Sequence, residues 1–203
     1  MSIVKDEDEL VSESAEGYVV GRKKTVEEYV DLDNNDESLR KWKESLGLAP
    51  GSTTGSIGEP GDKRKVVILK LELEIRDHSP ISVNLTEKSA LEKLKTKPLV
   101  IKEGVLYKVR IRFRVQHEII TGLRYLQLVK RKGLKVDKSD EICGSYSPNT
   151  LENPYYEKTF LEEEAPSGLI ARGTYDMTSK FIDDDKTTHL LFTWQLAIKK
   201  NWE

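Results

Sequence analysis

The sequence predicts an all-β fold, an immunoglobulin-like β-sandwich preceded by a flexible N-terminal arm that carries a short helical pair. Two observations carry that prediction. From Lys65 onward the hydrophobic period is two, and the apolar runs are separated by Gly, Pro, Asn and Asp rather than by helical segments. Before residue 62 the composition is acidic and turn-rich, with apolar side chains at helical spacing only in two short stretches.

Taken in order, residues 1–17 are rich in Asp, Glu and Ser with little to bury, which predicts disorder. Thr25 and Glu28 have the spacing of a capping box, with Val26, Tyr29 and Val30 on one face, giving a helix over about 25–31. After the turn-prone Asp33-Asn34-Asn35, Asp36 caps a second helix over about 36–46, where Leu39, Trp42 and Leu46 share a face and Gly47 supplies the stop. Helices this short are marginal alone, so the pair either docks on the domain or becomes ordered on a partner. Residues 49–62, with four glycines and two prolines, read as a flexible linker. The chain therefore divides into an arm over 1–62 and a sandwich over 63–203.

In the sandwich, Leu69, Leu71, Leu73 and Ile75 alternate with Lys70, Glu72, Glu74 and Arg76, and the run from Val105 to Val115 alternates with Lys108, Arg110, Arg112 and Arg114. Such strands are dry on one face and wet on the other. Shorter candidates lie at 81–85, 99–101, 119–129, 155–160, 169–177 and 189–198, with one or two helical turns in a loop at 87–95. Eight or nine short strands of this kind favour two packed sheets.

Charge follows the same division. Residues 1–62 hold 15 acids and 7 bases, and the remainder 20 acids and 26 bases, so an acidic arm precedes a basic domain. The basic residues are spread along strands and balanced by acids, which argues against a nucleic-acid partner. No apolar run approaches the length of a membrane span, no secretory signal is evident and the single Cys143 has no internal partner; the expected compartment is the cytoplasm.

The chemistry-bearing motifs are absent: no phosphate loop, no dinucleotide fingerprint, no nucleophile elbow and no paired-histidine metal motif. His78, His117 and His189 are isolated, and no metal or catalytic residue is expected. Asp183-Asp184-Asp185 lacks the glycine and the distant glutamate of a calcium loop, leaving a solvated turn or a contact for a partner's basic residues. Glu162-Glu163-Glu164 leaves the same alternatives. Trp194, in an inward row with Leu190, Phe192, Leu196 and Ile198, is either packed core or the wall of an apolar cavity.

Several segments, in order, resemble the Rho guanine-nucleotide dissociation inhibitor family. They are Leu32-Asp33 with 36–44; Phe113-Arg114-Val115 followed by 118–125; Gly144-Ser145-Tyr146; Glu163-Glu164-Ala165-Pro166 with Ala171-Arg172-Gly173; and Phe181 with 183–187. Trp42 and the short linker are similar to the fungal branch. The resemblance implies a non-enzymatic protein that binds prenylated Rho-family GTPases, mainly GDP-bound, as a 1:1 heterodimer, and is monomeric when free. It would block nucleotide release and extract its partner from membranes by sheltering the prenyl group. It implies a GTPase contact through Asp36, Ser38, Leu39, Trp42, Asp184 and Asp185, and a contact with the partner's basic tail through Asp137, Asp140, Glu163 and Glu164. The lipid would meet Leu73, Leu99, Tyr107, Ile119, Met177, Phe192 and Trp194. No cofactor is implied; the geranylgeranyl or farnesyl group is the partner's. Leu99 stands where the family commonly has an aromatic, and Phe192 where it has Trp, both keeping the site apolar. The competing readings are a general prenyl- or acyl-binding solubilising factor and a signalling adaptor with a filled core.

Overall fold

A computed structural model of the chain describes residues 9–11, 28, 36–38, 41 and 61–202. The strand-forming residues build two sheets: β1 (Val66–Ile75), β2 (Ile81–Asn84), β4 (Leu106–Val115) and β7 (Tyr156–Glu164) in one, in the order β2-β1-β4-β7; and β3 (Leu99–Lys102), β5 (Ile120–Arg131), β6 (Leu134–Tyr146), β8 (Gly173–Ile182) and β9 (Thr188–Lys199) in the other, in the order β3-β9-β8-β5-β6. Every pairing is antiparallel except β3 with β9. The result is the expected sandwich.

Alternation decides the faces. On β4, Tyr107, Val109, Ile111, Phe113 and Val115 are buried, and the residues between them lie on the wetter face. These side chains meet Tyr125, Phe181, Phe192, Trp194 and Leu196 from the other sheet in one continuous core. Tyr125 packs between Phe160 and Phe181 at ring separations of 5.0 and 4.9 Å, and Phe113 takes Tyr146 edge-on at 4.9 Å.

Strand ends shift by up to four residues, and three differences from the sequence expectation are larger in kind. The turns expected at 87–95 form a nine-residue helix, α1 (Lys88–Thr96), which buries Leu94. β6 was not anticipated: it is an edge strand, half-exposed along most of its length, so it lacks the apolar alternation that betrays a strand. The strand expected at 169–177 begins at Gly173, because Leu169 and Ile170 are 82% and 87% exposed in the loop before it.

The arm's expected helices and linker lie mostly outside the described residues; of the stretch 1–17 expected to be disordered, residues 9–11 are described and Leu10 is buried, because that one leucine finds an apolar surface on the sandwich. Asp36 stands immediately before the helical Glu37 and Ser38 and accepts the Ser38 N–H at 2.8 Å, the contact a capping aspartate makes. Lys41 and Glu37 form an i,i+4 ion pair at 3.0 Å. Where the arm joins the sandwich, His117 Nε2 lies 2.6 Å from the Asp62 carbonyl, while Gln116 donates its side-chain N–H to the Arg64 carbonyl at 2.7 Å. The root of the arm is thereby fixed to the β4–β5 loop.

Candidate functional site

At the opposite end of the sandwich a cavity of about 350 Å³ opens between the sheets, the lower part of the usual range for small-molecule sites. The end of β5 contributes Gln127, Val129 and Arg131; β6 contributes Val136 and Asp137; β8 and β9 contribute Tyr175, Met177, Leu196 and Ile198. Tyr107, Glu163, Glu164 and Pro166 close it from the facing sheet and the loop after β7.

The cavity's polar groups are largely engaged with the protein itself. Tyr107 donates its hydroxyl to Glu163 Oε2 at 2.7 Å, and Tyr175 donates to the Ala171 carbonyl at 2.7 Å. Burial and the neighbouring Glu163 charge raise the Tyr107 phenol far above its ordinary value, so it stays a neutral donor. Deeper in, Tyr125 donates to Gln127 Oε1 at 2.5 Å, and Ser179 Oγ accepts the Trp194 Nε1–H at 2.9 Å. With these groups satisfied, the wall offered to a guest is mainly the apolar Val129, Val136, Met177, Leu196 and Ile198.

The mouth is held in shape. Arg131 donates to the Arg172 carbonyl at 2.6 Å and lies over the Tyr175 ring at 5.1 Å. Glu103 accepts from Arg172 at 2.7 Å and from the Gly168 N–H at 2.9 Å, and the Arg172 hydrogen bond keeps its carboxyl below the ordinary value. The loop carrying Pro166 is thus anchored to the β3–β4 turn.

The structure brings five of the sequence-singled residues into this one cavity: Tyr107, Met177, Asp137, Glu163 and Glu164. Trp194 lies directly behind, opposite Met177 in the β8–β9 register, and Leu99 pairs with the cavity residue Leu196. Leu73 and Phe192 are buried in the adjoining core. Ile119 is elsewhere: it is half-buried just before β5, at the end of the sandwich where the arm attaches, with Ile120 taking the buried position. Asp140 lies beside Arg124 at 2.9 Å on the outward row of β6 opposite Leu126, away from the cavity.

The acids of the β8–β9 turn occupy the arm end. Asp183 is buried and structural, accepting the Thr187 N–H at 2.9 Å and meeting His189 Nε2 at 3.0 Å. Asp184 rests against Gly122, and Asp185 is exposed. Asp36 and Ser38 are described above; Leu39 and Trp42 lie outside the described residues. Sequence reasoning did not single out Val129, Val136 or Tyr175. Val129 closes the mostly apolar stretch Tyr125-Leu126-Gln127-Leu128-Val129, which was a usable signal, whereas Val136 belongs to the edge strand β6, whose surface is largely wetted. Among the described residues no group of His, Cys, Asp and Glu is arranged to hold a metal, and no helix is long and apolar enough to cross a membrane.

A family model described as RHO protein GDP dissociation inhibitor matches residues 3–201. The chain is 53% identical over 184 residues to the Rho GDP-dissociation inhibitor of Saccharomyces cerevisiae, covering 90% of each chain. To that of Schizosaccharomyces pombe it is 45% identical, covering 91% of this chain and 86% of the relative. To human Rho GDP-dissociation inhibitor 1 it is 41% identical, covering 94% and 89%.

Proposed function

Because the chain belongs to the Rho GDP-dissociation inhibitor family, a family that regulates Rho GTPases, we propose that it binds prenylated Rho-family GTPases, chiefly GDP-bound and one to one, and shelters their prenyl group in the cavity between its sheets. In this role it slows nucleotide release and holds its partner in solution in the cytoplasm, exchanging transiently with membranes and remaining monomeric when free. No catalysis and no cofactor enter. The single observation that carries the reading is a cavity between the sheets that combines an apolar wall of Val129, Val136, Met177, Leu196 and Ile198 with the exposed acids Asp137, Glu163 and Glu164. Apolar walls suit a lipid chain, and exposed carboxylates suit a basic segment beside the lipidated residue.

The test compares prenylated and unprocessed forms of one Rho-type GTPase against the intact chain. The prenylated form is expected to bind at least about tenfold more tightly, a difference of about 1.4 kcal/mol or more. Met177→Arg, which places a charge on the cavity wall, is expected to remove that advantage and leave the weaker binding of the unprocessed form in place. Equal affinity of the parent chain for the two forms ends the reading.

A further inference from the structure

The two outer faces of the sandwich are built differently. That of the first sheet is a ladder of opposed charges, with Arg110 against Glu72 and Glu74, Arg112 against Glu157 at 2.7 Å, and Arg76 against Glu162 at 2.6 Å. The second sheet instead presents an apolar strip from three adjacent strands: Leu126 and Leu128 of β5, Ile182 of β8 and Leu191 of β9, all pointing away from the core. Although they face outward, Leu126 and Leu128 are 0% exposed.

What lies against them is Leu10, itself 0% exposed and part of the same apolar cluster. Its neighbours make polar contacts on either side: the Glu9 carboxylate is 2.7 Å from Lys130 Nζ, and Lys138 Nζ donates to the Val11 carbonyl at 3.3 Å. An apolar plug, a flanking ion pair and a backbone contact are together the elements of recognition for a short acidic-leucine-apolar segment. The structure assigns this outer face as a docking groove whose occupant is the chain's own Glu9-Leu10-Val11, so that the arm is fastened to the sandwich near its start as well as at its root. This goes beyond the proposed function and depends on no part of it. Because closure entropy grows only slowly with the length of the connecting chain, the separation of Leu10 from Asp62 in sequence does not forbid docking. Docking within one chain also sets a high local concentration that a separate segment must overcome.

The full-length free chain tests this. A nitroxide is attached at Ser14→Cys; Cys143 does not compete, being buried with its thiol pushed up to about 12 by that burial. The methyl resonances of Leu126, Leu128, Ile182 and Leu191 are expected to broaden, and Leu10→Asp, a change in the arm, is expected to abolish the broadening without altering the rest of the sandwich spectrum. A fluorescent peptide of residues 4–16 is then expected to bind the Leu10→Asp protein at least about tenfold more tightly than the parent chain, whose groove is filled. Adding Lys130→Glu should weaken that peptide, and Glu9→Lys in the peptide should restore it. Broadening that persists in Leu10→Asp, or a peptide that fails to distinguish the two proteins, overturns the assignment.

Discussion

Glu72 shows how a charge survives on a sandwich face with only 3% of its surface exposed. Burial acts to raise its carboxyl, but hydrogen bonds from Lys70, Ser82 and Arg110 outweigh it and hold the group at about 2, below the ordinary 4.5. A carboxyl depressed in the native state contributes stability that is complete above the unfolded value and is lost as pH falls from about 4.5 towards 2. Glu72→Gln should therefore cost about 2 kcal/mol at neutral pH, the scale of a lost charged hydrogen bond. It should also make stability in urea decline less steeply between those pH values; parallel declines for parent and variant would show that Glu72 does not control this window. At the same scale, the sequence made Tyr107, Met177, Asp137, Glu163 and Glu164 legible through their family resemblance, and the structure gathers them. Ile119, named by the same resemblance, is not gathered with them: it stands half-buried just before β5, at the end of the strand away from the cavity, and its neighbour Ile120 lies at that end too.

Gly122 decides the geometry of an element rather than of a side chain. Its φ of +57° lies in the left-handed region, and a Cβ built there would fall 2.1 Å from Asp184 Oδ1. The glycine thus lets the β8–β9 turn close onto the start of β5, where the Asp184 N–H donates to the Thr121 carbonyl at 3.1 Å. Gly122→Ala should destabilise the chain by about 1–3 kcal/mol, from positive-φ strain together with displacement of Asp184. Thermal unfolding measures that loss, and an unchanged midpoint would mean that the turn relaxes freely. The long strands were legible because one face of each is dry, as on β4, where five buried residues alternate with half-buried ones. β6 was not legible because an edge strand with a largely wetted surface needs no alternation, and β8 was misbounded because Leu169 and Ile170 imitate a strand start while standing in solvent.

Across the whole molecule the two candidate contact regions lie at opposite ends, about 40 Å apart along the twelve residues of β5. The arm's root at Asp62 and the acids Asp184 and Asp185 share one end, while the cavity with Asp137, Glu163 and Glu164 occupies the other. On the proposed reading this separation matters energetically. A prenyl chain of about 15–20 carbons is worth on the order of 10 kcal/mol when removed from water, but a bilayer offers nearly the same gain. Net extraction must therefore draw on protein contacts, and on carboxylates that replace the attraction of a basic tail for anionic lipid, about 1 kcal/mol per residue. Deleting residues 1–62 should leave the affinity for a prenylated peptide within about threefold, abolish inhibition of nucleotide release, and cut release of prenylated GTPase from anionic liposomes by at least about tenfold. The deletion also uncovers Leu126 and Leu128, so its control is full-length Leu10→Asp, which uncovers the same leucines while keeping Asp36 and the rest of the arm. If the truncated chain slows nucleotide release as well as that control does, the arm has no part in inhibition and the cavity end must carry the whole activity.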